Sequence, residues 1–416
     1  MSLLQMQSAA GLLLLAALAS ALGGFRRGVP PRLVAMGLAL QLGLAAALLN
    51  IPPLRAAFAL LGDGVNALAT ATRAGTSLVF GYLGGAPLPF AESSPGASFI
   101  LFFQALPLVL VVGALSALLY HWGVLPAIVR AMARALRALF GLGGATGFGV
   151  AANVFVGMVE APLMIRAWLA RLSRPELFVV MTAGLATISG NTLVVYALII
   201  APVVPDAAGQ LLTASLVSAP AAILTALLML PPAPGEAATE GEEGIPARLY
   251  ESSMDALVRG TQDGLTLLLG IMASLIVFVA LVALVNLALE PLVGITLQKA
   301  MGWLLWPLAW AMGVPAAEAA TVGASLGVKM VVNEFVSYLE LAQSGGAGLS
   351  ERSRLILTYA LCGFTNLGSV GIMVGGMTAM CPERRADIVR LGLPALVSGT
   401  IACCMTGAVV GVLTAP

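Results

Sequence analysis

The chain has 416 residues, of which 60% are hydrophobic and 9% charged, and its formal net charge is +1. Soluble globular domains carry about 25% charged residues, so a fully water-facing surface cannot be assembled from this composition and lipid must cover most of it. The near-neutral balance leaves no electrostatic footprint for nucleic acid, which is excluded as a partner.

A membrane-spanning helix needs about 20 mostly apolar residues. Eight stretches meet that need: 9–25, 33–51, 98–120, 177–200, 208–230, 264–289, 355–379 and 391–414. The first lacks a basic leader and is followed by Arg26, Arg27 and Arg32. That charge order is opposite to a signal peptide's, so the stretch reads as a span with its N-terminus outside. Residues 54–83 form a mixed, amphipathic piece. Residues 127–140 place Arg130, Arg134 and Arg137 on one helical face and Ile128, Met132, Leu136 and Leu139 mostly on the other, which predicts a helix lying in the membrane interface. Residues 291–313 carry Trp303, Trp306 and Trp310, another interfacial signature.

Segments 143–169 and 314–342 are apolar but rich in glycine and small residues, and each holds a carboxylate, Glu160 and Glu334 respectively. Each is long enough for two short helices that enter and leave by the same face, so both are predicted to be re-entrant hairpins. The lone His121 lies before Trp122 at the end of an apolar run and reads as an interfacial anchor. Cys362, Cys381, Cys403 and Cys404 show no metal-ligand spacing and read as small packing residues.

Basic residues concentrate in cytoplasmic loops. With the N-terminus outside and both hairpins returning to their own side, fourteen of the twenty Lys and Arg fall on the cytoplasmic side. A full crossing at either hairpin would break that bias. Both termini are then expected on the periplasmic side. The acidic stretch 231–246, with Glu236, Glu240, Glu242 and Glu243, reads as a linker near the middle of the chain.

The two halves share an order. A hairpin with Glu160 is followed by Ser173-Arg174-Pro175-Glu176 and a span holding Thr187-Ile188-Ser189-Gly190-Asn191. A hairpin with Glu334 is followed by Ser350-Glu351-Arg352-Ser353 and a span holding Thr365-Asn366-Leu367-Gly368-Ser369. The halves are therefore expected to be inverted copies, the arrangement by which many secondary transporters build a midplane substrate site.

An ionisable residue within a membrane segment is a functional candidate by default. Asn153 to Pro162 forms the first cluster: Gly157 and Pro162 bracket a predicted non-helical tip, whose carbonyls and Asn153 amide are oxygen ligands for a hard cation. The second is Thr187 to Thr192, whose polar residues loosen the span. The third joins Asn333 and Glu334 to Phe364, Thr365, Asn366 and Ser369, donors and acceptors suited to vicinal hydroxyls such as a sugar's. Each also has a structural reading: a helix cap for Glu160, polar packing between helices for the second, a purely structural network for the third. The chain has no H-E-x-x-H, G-x-S-x-G, P-loop or dinucleotide fingerprint, and no enzyme is expected. An intramembrane aspartate protease needs two aspartates, whereas the acids here are glutamates.

The run Ala151-Ala152-Asn153-Val154-Phe155-Val156-Gly157, with Glu160-Ala161-Pro162-Leu163, resembles the first hairpin of the concentrative nucleoside transporters. So do Asn333-Glu334-Phe335-Val336-Ser337-Tyr338-Leu339, Leu361-Cys362-Gly363-Phe364 and Pro382-Glu383-Arg384-Arg385, and the resemblance runs in order from about 95 to 414. It implies an all-α polytopic fold of eight spans and two re-entrant hairpins in inverted repeats, an elevator-type carrier. It further implies a homotrimer in the bacterial inner membrane importing nucleosides with Na+ or H+ and no other cofactor. Scaffold parts would cover 1–140 and 257–313, transport repeats 141–230 and 314–416, and a linker 231–256. By the same resemblance Asn153, Thr187 and the Val156 and Ile188 carbonyls would hold Na+. Glu334, Asn366 and Ser369 would bind ribose with Phe364 beside them, and the base would lie near Met158, Val159, Glu160 and Thr192. Many members carry Gln and Thr where this chain has Met158 and Val159, so ribose recognition is expected to be kept and base preference to be broadened or shifted, or the solute to be another riboside.

Overall fold

A computed structural model describes residues 2–25, 29–92, 98–233, 238–239 and 249–415, without the side chains of 55, 57–59 and 61. Arg26, Arg27, Arg248 and the Arg55 side chain, all assigned a side in the charge count, and the four glutamates of the acidic stretch lie outside these residues. In chain order the first helices are α1 (Leu3–Leu22), α2 (Pro31–Asn50), α3 (Pro52–Phe80), α4 (Leu101–Gln104) and α5 (Leu108–His121). The first inner half continues with α6 (Val124–Phe140), α7 (Gly144–Asn153), α8 (Glu160–Met164), α9 (Arg166–Leu169), α10 (Arg174–Ala186), α11 (Gly190–Ile200) and α12 (Ala207–Met229). The second runs α13 (Ser253–Val293), α14 (Leu297–Ala311), α15 (Ala316–Val331), α16 (Glu334–Gln343), α17 (Glu351–Leu361), α18 (Leu367–Met380) and α19 (Arg385–Leu413).

Among the described residues, seven segments are long and apolar enough to cross a bilayer, and they coincide with seven of the eight expected spans. The eighth, 355–379, is divided between α17 and α18 by a break at Cys362–Asn366. The pair α14 and α15 turns back on itself through 117°, so α14 lies along the first arm of the second hairpin. The 41-residue α13 is roughly 60 Å long at 1.5 Å per residue, about twice the hydrocarbon thickness, and large apolar side chains such as Ile276, Leu284 and Leu287 are exposed along it. That face is built for lipid or another subunit.

Helices α5 and α13 pack closely because glycines line their contact: a Cβ at Gly260 would sit 2.7 Å from the Gly113 carbonyl oxygen. Helices α10, α12, α17 and α19 form the buried centre, and α1 and α2 pack against α12 and α19. On α6, Arg130, Arg134 and Arg137 are exposed as expected. The buried stripe, however, is Val129, Ala133, Leu136 and Phe140, and Ile128 is exposed. Spacings of four, three and four residues track the helix more closely than the expected set.

The two hairpins open to opposite ends of the molecule. At one end Arg352 donates to the carbonyls of Leu4 and Thr414 and to Ser8 Oγ, and Ser350 donates to Glu318 at the start of α15. Both chain ends and the mouth of the second hairpin therefore share that side. At the other end, where α19 begins, Arg384 donates to the Leu172 carbonyl at 2.6 Å, and Arg174 pairs with Asp387 at 3.3 Å. Those contacts fix the mouth of the first hairpin there. The halves are inverted copies, and the repeat is longer than the sequence suggested: α5 and α13 precede the interfacial helices α6 and α14 in the same order.

Candidate functional site

Each repeat contributes a hairpin tip and a break in a central helix. In the first, α7 ends at Asn153 and the chain is non-helical over 154–159. The expected bracket at Pro162 is corrected: Pro162 is the third residue of α8. Proline is tolerated in a first helical turn because an amide hydrogen there has no intrahelical acceptor. Gly157 adopts φ +120°, and a Cβ at this position would stand 2.7 Å from Glu160 Oε2. The tip is tied to the broken span by the Gly190 amide, which donates to the Phe155 carbonyl at 2.9 Å.

The helix α10 starts with a capping box, Ser173 accepting from the Glu176 amide while Glu176 accepts from the Ser173 amide. It stops at Thr187, whose backbone is extended, and α11 restarts after Ser189. The Thr187 hydroxyl donates to the Ala183 carbonyl at 2.9 Å, which leaves its lone pairs available. The Ile188 carbonyl accepts only a long bond, 3.4 Å, from Ser215 Oγ. Asn153 is 1% exposed, and neither its amide nitrogen nor its amide oxygen has a hydrogen-bond partner. Buried amides are almost always satisfied, so an oxygen donor left open beside a broken helix suits a small cation. Val156 sits partly buried in the same tip.

In the second repeat Asn333 caps α16 by accepting from the Val336 amide at 3.0 Å, so the amide oxygen assigned to the ligand cluster is engaged locally. Glu334 follows at the helix start. Its two carboxylate oxygens accept from Tyr196 Oη at 2.7 Å and Asn366 Nδ2 at 2.9 Å. Asn366 in turn caps α18, accepting from the Ser369 amide at 2.7 Å. Glu334, Asn366, Ser369 and Tyr196 are all buried, and Phe364 is partly exposed beside them. Three elements from two repeats thus meet on one carboxylate, with the cap fixing the Asn366 rotamer.

Tyr196 was absent from the residues picked out in the sequence. The available signal was its place four residues after Thr192, which puts it on the same face of α11. The remaining expected residues sit around the first hairpin. Thr192 is buried and shares a 2.5 Å hydroxyl contact with Ser189. Glu160 is exposed and is the first residue of α8, with its carboxylate turned toward Gly157 at the hairpin tip. Met158 lies against Gly184 of α10, and Val159 against Gly376 of α18. Both apolar side chains are therefore at contacts between the tip and its neighbours.

The sequence matches the Na+ dependent nucleoside transporter C-terminus over residues 210–411, the N-terminal domain of the same family over 10–83, and a nucleoside recognition (Gate) domain over 102–203. It is 31% identical to the putative nucleoside permease NupX of Escherichia coli, covering 98% of each chain. It is 32% identical to sodium/nucleoside cotransporter 1 of Mus musculus, over 99% of this chain and 64% of that one. The fold superposes on the transporter CNTnw in an inward-facing substrate-bound state with a TM-score of 0.91, at 33% identity and full coverage of both chains. It also matches an outward-facing variant of CNTnw with a TM-score of 0.89 at 32% identity. The chain is a membrane transporter rather than an enzyme, and it belongs to the Na+ dependent, or concentrative, nucleoside transporter family.

Proposed function

We propose that the protein is a symporter that imports nucleosides across the bacterial inner membrane, driven by a cation gradient. The observation that carries this reading is the Glu334 carboxylate held between Tyr196 and Asn366 where the two broken helices meet. A carboxylate with paired neighbours can accept from both hydroxyls of a ribose, and hydrogen bonds to a charged acceptor are about twice as strong as neutral ones. Ser369 and Phe364 complete that subsite, one offering a hydroxyl and the other an apolar face.

Na+ is the proposed coupling ion. Asn153, Thr187 and the carbonyls of Val156 and Ile188 form its ligand set, supported by the unpartnered Asn153 amide. If H+ is coupled instead, Glu160 or Glu334 carries it. The base lies near Met158, Val159, Glu160 and Thr192. The apolar side chains of Met158 and Val159 support van der Waals rather than hydrogen-bonded contact with the ring, hence a broadened base preference. The alternative solute is another riboside on the same scaffold.

Transport follows an elevator path in a homotrimer. Residues 141–230 and 314–416 form the moving part, 1–140 and 257–313 the scaffold, and 231–256 the linker. The termini face the periplasm, an assignment that rests on the distribution of basic residues, and the grouping of both chain ends beside Arg352 supports their lying on one side. The test is uptake of radiolabelled uridine into proteoliposomes under an inward Na+ or an inward H+ gradient. Accumulation under one gradient alone is expected and names the ion. Folded protein that accumulates uridine under neither, but takes up a purine nucleoside or another riboside, moves the assignment to the alternative solute.

A further inference from the structure

Helix α6 presents three faces. Its buried stripe packs on the protein, and α7, the first arm of the first hairpin, rests directly on it. A Cβ at Gly147 of α7 would stand 3.4 Å from the Ala133 carbonyl oxygen and 3.7 Å from Arg137 Cβ. At about 100° per residue, Ile128, Met132 and Leu139 fall to one side of that stripe and Arg130, Arg134 and Arg137 to the other. Ile128 is exposed, Met132 and Leu139 are half-buried, and all three arginines are exposed. With the stripe held against the protein, the apolar flank lies toward hydrocarbon and the opposite flank toward water, which sets the guanidinium groups at headgroup depth. Successive arginines are four and three residues apart, so they are neighbours about 5–6 Å apart at Cβ.

Other arginines at the same end are neutralised within the protein: Arg174 and Arg384 both reach Asp387, and Arg259 reaches Asp255. Among the described residues no carboxylate lies within ion-pair distance of the three on α6, and Arg134 makes a long donation, 3.4 Å, to the Arg130 carbonyl. The equivalent helix of the second repeat is built differently. On α14, Trp303 and Trp310 are exposed, and the Lys299 ammonium lies 5.8 Å from the Trp303 ring centroid. Aromatic rings suit the interface of either leaflet. A row of guanidinium groups suits phosphate, which each can hold through paired N–H donors. The cytoplasmic surface of a membrane carries the negative potential, and the distribution of basic residues assigns α6 to that side. We propose that the Arg130, Arg134 and Arg137 flank of α6 is a docking surface for the phosphate headgroups of anionic phospholipids in the cytoplasmic leaflet. The bound lipid anchors the helix on which the first hairpin rests.

The test is native mass spectrometry of the full-length protein in detergent, mixed with equal amounts of phosphatidylglycerol and zwitterionic phosphatidylcholine, counting each lipid retained. Each basic residue near a charged lipid surface is worth about fivefold in binding. The unmodified protein should therefore retain phosphatidylglycerol at least fivefold over phosphatidylcholine. In the triple variant Arg130→Gln, Arg134→Gln, Arg137→Gln the ratio should fall to near one, with phosphatidylcholine retention unchanged. A preference that survives the triple variant overturns the proposal. So does an unmodified protein with no preference, because the flank is then covered by the chain's own acidic stretch or by another subunit. Lys299→Gln on α14 should leave the ratio as it was; an equal loss there means diffuse attraction to any positive charge and also overturns the site. If the triple variant does not fold, Arg134→Gln alone, at the centre of the row, should lower the ratio severalfold, and an unaltered ratio overturns the proposal. Neither leaflet nor orientation enters in detergent, so a negative result leaves the sidedness and the transport reading untouched.

Discussion

Glu334 is the residue on which recognition turns, because its two oxygens already have partners on α11 and α18. Glu334→Gln keeps the shape but replaces an acceptor with a donor facing Asn366 and Tyr196. Losing charged hydrogen bonds costs about 1.5–3 kcal/mol each, so nucleoside affinity should fall at least tenfold, as read by calorimetric titration. Tyr196→Phe removes one donor and leaves the ring packed between Phe335 and Tyr338. A smaller loss, roughly 1 kcal/mol or about fivefold in affinity, is expected, with a lowered melting temperature because a buried carboxylate oxygen loses its donor. At Gly157 the backbone at φ +120° excludes a side chain, and an added Cβ would displace the Glu160 carboxylate. Gly157→Ala should therefore abolish uptake while the protein still elutes as one oligomeric species in detergent.

At the scale of elements, the breaks in the central helices depend on caps. Ser173 and Ser350 start the equivalent helices α10 and α17 by accepting from the amides three residues on. Replacing either by alanine should cost about 1 kcal/mol, visible as a lowered melting temperature without a change in cation dependence. The pairing of α5 with α13 is more demanding. A Cβ at Gly264 would stand 2.9 Å from both the Leu110 Cα and the Val109 carbonyl oxygen, which are backbone atoms unable to rotate away. Close backbone approach through small residues is how membrane helices associate in the absence of a hydrophobic drive, so Gly264→Val should reduce the yield of folded protein.

For the whole molecule, the prediction concerns motion. Ser116 of α5 donates to the Asn191 side chain of α11 at 2.8 Å, across the boundary between the proposed scaffold and the proposed moving part. An elevator must break this bond in each cycle. A double variant, Ser116→Cys with Asn191→Cys, should lose uptake on oxidation and recover it on reduction. The four native cysteines are buried, which limits competing pairs. Uptake unaffected by a formed cross-link would sink the elevator reading and leave the binding site intact.

The sequence by itself determined the membrane class, the two hairpins, the order of the repeats and the polar residues that break the spans. Composition and periodicity are local properties, and a buried carboxylate in an apolar run is conspicuous wherever the chain folds. The family strings likewise placed Glu334, Asn366 and Asn153 before any geometry was known. Only the tertiary structure decided which side chains face one another. Tyr196 bonds to a residue 138 positions away, and no spacing rule spans that distance. That the Asn333 amide oxygen caps α16 was equally hidden, because a helix start presents an unpaired amide that its own side chain reaches first. The buried face of α6 and the donation from Lys329 to the Ala360 carbonyl were also invisible in sequence. Both are set by the packing of one element on another, through contacts that residues far apart in the chain must supply.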